Sequence, residues 1–91
     1  MNKIDKVFTL TLGTEAETVL VQGLSCLVQN NSGSAAVFFK EKRSDGVDVT
    51  PLTGWRLGPG EVTRVPMVAL ELSLIAESAD TDVRVLLLDE Y

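Results

Sequence analysis

Residues 25–40 read SCLVQNNSGSAAVFFK, and this stretch decides the class of fold. Asn and Gly accept the left-handed backbone of a tight turn, whereas Val and Phe suit a pleated, half-buried surface. The pattern predicts a β-strand, a polar turn over Asn30-Asn31-Ser32-Gly33-Ser34, and a second strand ending in Phe38-Phe39. Two of the three Phe residues of the chain lie here, so the expected hairpin concentrates most of the aromatic bulk.

Toward the N-terminus, Phe8, Leu10 and Leu12 alternate with Val7, Thr9 and Thr11. A period of two marks a strand with one buried side, and Gly13 ends it. Thr14 and Glu17 match the spacing of a helix capping box. The β-branched run Thr18-Val19-Leu20-Val21 favours a strand instead, stopped at Gly23 by a turn or bulge. Leu24, Cys26 and Val28 then share one face of the organising strand.

Toward the C-terminus, Arg43-Ser44-Asp45-Gly46 predicts a second turn on the strength of Asp-Gly. Val47 and Val49 alternate with Asp48 and Thr50 as a short strand closed by Pro51. Residues 51–60, punctuated by Pro51, Gly54, Gly58, Pro59 and Gly60, read as an extended loop carrying Trp55. Its end fits a type II turn with Pro59 at the second position and Gly60 at the third. A strand over Val62 to Val65 stops at Pro66. Between Met67 and Ala76 the composition allows a helix, but Val68, Leu70, Leu72, Leu74 and Ala76 fall on alternate positions and leave a helix no polar face. After a polar turn through Ser78, Asp80 and Asp82, a last strand aligns Val83, Val85 and Leu87.

About eight short strands with turns between them, in 91 residues, specify one domain: a small antiparallel all-β sandwich, with a jelly roll among its candidate topologies. Eight basic against thirteen acidic residues give a net charge of −5. Such a surface repels phosphate backbones, which argues against nucleic acid as a partner. Cys26 is the lone cysteine and reads as a small buried apolar residue, compatible with synthesis in the cytosol. The broken apolar run after Lys3 and Lys6 does not read as a signal peptide, and no stretch reaches the ~20 apolar residues of a membrane span.

The chain has no His, which removes the common general base and most zinc and copper sites. The acidic pairs Asp45 with Asp48 and Asp80 with Asp82 fall in expected turns, where Asp bonds to its own backbone. Gly58 and Gly60 lack the third glycine of a dinucleotide loop, since Thr63 stands there. Asn30-Asn31-Ser32 matches a glycosylation acceptor, which has meaning only for a secreted chain. No catalytic residue, metal site or cofactor is expected.

Some strands are apolar on both faces. Leu86 and Leu88 oppose Val83, Val85 and Leu87; Leu27 opposes Leu24, Cys26 and Val28; Phe38 opposes Val37 and Phe39. A two-layer sandwich has one interior, so the outward residues are tolerated exposures, lie under a loop, or make contact surface. The loop carrying Trp55 is one candidate cover. Leu27, Phe38, Trp55, Leu86 and Leu88 are the candidate interface residues. If the last strand lies at a sheet edge, it could also pair with another chain.

The strand pattern resembles small accessory virion proteins of tailed bacteriophages, β-sandwich subunits that decorate or cement the capsid. The likeness rests on Leu27-Val28-Gln29-Asn30-Asn31-Ser32-Gly33 leading into Val37-Phe38-Phe39, on Gly54-Trp55-Arg56-Leu57-Gly58-Pro59-Gly60-Glu61, and on the strands flanking residues 78–82. The resemblance implies a structural protein without turnover, made in the host cytoplasm and residing in the virion. It also implies a homo-oligomer, a trimer being the common form, in contact with a major capsid or other virion protein. Two rivals are a carbohydrate-binding module built on Trp55 and a small acidic inhibitor of a host enzyme that mimics nucleic acid.

Overall fold

The computed structural model describes residues 5–43, 46–66 and 69–88. Eight strands follow in order: β1 (Asp5–Leu12), β2 (Glu17–Leu20), β3 (Ser25–Asn30), β4 (Val37–Lys42), β5 (Trp55–Leu57), β6 (Val62–Val65), β7 (Glu71–Ala76) and β8 (Thr81–Leu88). They form two four-stranded sheets, β1-β8-β3-β6 and β2-β7-β4-β5, and no helix occurs among the described residues. Every pair is antiparallel. The nested pairs β1·β8, β2·β7, β3·β6 and β4·β5 make one long folded ribbon, which rolls so that β8 meets β3 and β7 meets β4. That is the jelly-roll arrangement, an all-β sandwich as the alternation predicts.

Alternation sets the core. Leu12, Val28, Val83 and Val85 from the first sheet and Val37, Leu72 and Leu74 from the second are fully buried in one cluster. Each side chain of this size contributes roughly 1.5–3 kcal/mol when removed from water. The capping-box alternative at Thr14 does not form a helix; Glu17 opens strand β2.

Several expectations are corrected. The stretch 25–40 is not a hairpin: β3 and β4 lie in different sheets, and residues 31–36 cross between them. The cause is Asn30, which is fully buried. Its Nδ2 donates to Ala35 O (2.8 Å) and Leu57 O (3.1 Å), and its Oδ1 accepts from Ser32 N (3.0 Å). A side chain that spends its amide on two separate backbone segments pins a corner between sheets. Strand β4 also continues past Phe39 to Lys42.

Residues 47–50 form no strand. Val49 is buried while Val47 is 52% exposed, the opposite of a shared face. The extended loop expected over 51–60 is interrupted by β5, whose Trp55 pairs with Phe39. Strand β7 begins only at Glu71, leaving Leu70 exposed; Met67 and Val68 lie outside the described residues. The last strand is no edge: β8 sits between β1 and β3, and the edges are β1, β6, β2 and β5.

Two turns have the geometry their residues demand. At Gly58-Pro59-Gly60-Glu61, Glu61 N donates to Gly58 O (3.1 Å) and Gly60 has φ +76°, as a type II turn requires. At Val21 to Leu24, φ is positive at both Gln22 and Gly23, which tightens the step from β2 to β3. Of the turn expected at residues 43–46, Ser44 and Asp45 lie outside the described residues, while Gly46 N donates to Arg43 O at 2.9 Å.

Candidate functional site

The outer face of the first sheet gathers apolar side chains from all four of its strands by register alone. Val7, Leu86 and Leu27 stand directly opposite one another across β1, β8 and β3, and Arg64 of β6 completes the row. The next row runs Thr9, Arg84, Gln29 and Val62. Leu88 lies on the same face, opposite Ser25. Val7 and Val62 are 57% and 58% exposed, while Leu27, Leu86 and Leu88 are half-buried. Val7, Leu27, Val62 and Leu86 line a shallow depression with Gln29 and Arg84. Leu27, Leu86 and Leu88, singled out from the sequence, thus form one surface. Val7 and Val62 were missed, because only the register reveals that they join it.

Phe38 lies on the opposite side of the molecule, on the outer face of the second sheet beside Ile75 and Arg56. That face is covered by residues 46–54. Val49 is 1% exposed, and its backbone N donates to Ser73 Oγ at 3.0 Å, giving a buried strand hydroxyl a docking role. Lys42 Nζ pairs with Asp48 Oδ1 at 3.0 Å. The chain returns through Gly54, where a Cβ would lie 2.5 Å from Val49 Cγ2, 2.9 Å from Phe38 Cβ and 3.1 Å from Phe39 N. So a segment beside Trp55 does cover one sheet, but Trp55 itself takes no part in the cover.

Trp55 occupies the edge strand β5 and is 71% exposed. It faces a cleft of about 450 Å³ where the edges β5 and β6 approach each other from opposite sheets, lined with Phe39, Glu41, Thr53, Thr63 and Val65 among others. Alternation directs Phe39, Glu41 and Trp55 to the inner side of the second sheet, and Thr63 and Val65 to the inner side of the first.

Few groups are tuned electrostatically. Cys26 is fully buried on the inner face of β3, and burial pushes its thiol pKa up to about 11. That is the opposite of an activated nucleophile. The hydrogen bond from Asn31 Nδ2 (2.8 Å), aided by Arg84 Nη2 (3.3 Å), holds the Asp82 carboxyl below its ordinary value. Among the described residues no cluster of three or more acidic or sulfur ligands could hold a metal ion. No protein-family model, curated protein or solved structure matches this chain.

Proposed function

We propose that this chain is a structural virion protein of a tailed bacteriophage, a capsid decoration or cement-type subunit that acts by protein–protein contact and without turnover. The observation that carries the reading is the outer face of the β1-β8-β3-β6 sheet. Its central row, Val7-Leu86-Leu27, is apolar across three strands and remains partly open to solvent. Apolar area of this kind, rimmed by Arg64, Arg84 and Gln29, is the anatomy of an interface: a dry centre with a polar margin. The net charge of −5 keeps the free subunit soluble and disfavours nucleic acid as the partner.

A flat sheet face suits this work. The jelly roll holds the outward side chains at fixed spacings, so little conformational freedom is lost when a second surface arrives. A copy of the same chain is the first partner expected, in a closed symmetric assembly with the trimer as the leading form, and a major virion protein is the second.

The test is solution mass, by light scattering after size exclusion, over a wide range of concentration. A stable multiple of 9.8 kDa is expected, falling to the single-subunit mass in the double variant Leu86→Ser with Leu88→Ser. A monomer at every concentration ends the self-assembling form of the proposal. An oligomer indifferent to the double variant places the contact on another face.

A further inference from the structure

We propose that the cleft between β5 and β6 binds a neutral sugar ring, with the Trp55 indole as its stacking platform. An indole buries some 150–250 Å² when covered and contributes correspondingly to stability. Here it stands 71% exposed in a three-residue edge strand, beyond the buried Phe39 that it pairs with. The fold gains little from an aromatic ring in that position. A ligand laid on the ring would gain a great deal.

The wall chemistry selects the ligand. The inward-facing side chains are apolar (Phe39, Val65), hydroxylic (Thr63) and carboxylate (Glu41), beside the ring itself. Mostly apolar lining with a few placed polar groups, in a volume of about 450 Å³, is the general form of a small-molecule site. A pyranose presents a flat C–H face to an indole and a rim of hydroxyls. Those hydroxyls donate to a carboxylate such as Glu41 and exchange hydrogen bonds with a threonine such as Thr63. Glu41 accepts from the exposed Arg43 Nη2 at 2.7 Å, at the end of β4. Lys40 and Arg64 also border the cleft, from outward positions of β4 and β6, so the inward-facing charge is the Glu41 carboxylate, which repels an acidic sugar. The open mouth also favours a ring whose outer rim stays in water over a wholly apolar ligand, which would need an enclosed cavity.

Trp55 is the sole tryptophan, so tryptophan emission, excited at a wavelength that spares Tyr91, reports on this site alone. Titration with cellohexaose, maltohexaose and mannohexaose is expected to give a saturable blue shift with at least one of them, and none with a polygalacturonate oligomer. By calorimetry, Trp55→Ala should abolish that binding while the melting temperature holds. Glu41→Gln, which keeps the reporter, should weaken it about tenfold, as the loss of a hydrogen bond to a charged group does. No saturable response to any of the three neutral sugars overturns the proposal. So does a response confined to the acidic oligomer or to a proline-rich peptide, or binding that survives Trp55→Ala. Neither outcome of the mass measurement on the outer sheet face bears on this site.

Discussion

The two outer faces of the sandwich begin from similar strands and reach opposite ends. On the second sheet Phe38, Ser73 and Ile75 point outward, and residues 46–54 lie over them, with Val49 buried to 1% exposure. On the first sheet Val7, Leu27, Leu86 and Leu88 point outward and stay partly open, Val7 at 57%. The difference lies in one hydroxyl. Ser73 is a polar outward position in the middle of an apolar strand, and it accepts the backbone N–H of Val49 at 3.0 Å. A loop can be buried only where its own backbone groups find partners. The outward positions of β3 and β8 offer Leu27, Gln29, Asp82, Arg84, Leu86 and Leu88, and their one hydroxyl, Ser25, is only half-buried at the start of β3, so this face suits a preformed surface better than a loop.

If that comparison is right, the bare sheet is bare without being loose, and Cys26 tests this from behind. It sits on the inner side of β3, next to the outward Leu27, with its thiol pKa raised from 9.0 to about 11 by burial. Between those values the folded chain keeps the proton and the unfolded chain has lost it. The contribution is therefore fully present below pH 9 and is lost as pH rises toward 11. The expected loss is up to about 3 kcal/mol. It is measured as the difference in urea stability between the wild type and Cys26→Ala, since only the wild type carries this slope. Parallel curves would mean that water already reaches the thiol through the uncovered sheet.

The covered face should break next. Gly54→Ala puts a methyl group within 3.1 Å of Phe39 N and closer still to Val49 and Phe38. Backbone cannot yield cheaply, so the cover must lift or the strand must shift, at a cost of about 2 kcal/mol. The urea midpoint should fall with an unchanged slope. A neutral substitution would show that residues 46–54 rest on the sheet without being packed against it.

Which parts of this were legible in the sequence follows from the range of the interactions. Alternation is local, so the strands at Phe8-Leu10-Leu12, at Cys26-Val28 and at Val83-Val85-Leu87 could be read directly. Strand order could not, because β4·β5 is the one pair of consecutive strands that bond to each other. Asn30 shows the same limit at a single residue. As a turn former it announced a hairpin, whereas its distant bond to Leu57 O makes it a buried corner. Val47 and Val49 share parity but not fate, since the segment lies on a sheet without belonging to one. For the site, opposite parity was enough to find Leu27, Leu86 and Leu88. It misled for Phe38, whose outward face is roofed, and it could not reach Val7 or Val62, which depend on register.

The smallest expected effect is the one that separates the two faces most sharply. Leu86→Ser with Leu88→Ser, measured under conditions where the chain is dispersed to single subunits, should cost about 1 kcal/mol. The changes fall on the outward side of β8, where mainly strand propensity and partial burial are lost. Behind them Val85 and Leu87 keep their places in the core. This modest loss, set beside the larger one for Gly54→Ala, says that the outward leucines are not needed to hold the subunit together. Their apolar area is then left for association, where the same substitutions should act strongly. If the order reverses and the leucine pair costs more than Gly54→Ala, the first sheet depends on its outer face for folding, and the contact surface has to be sought elsewhere on the molecule.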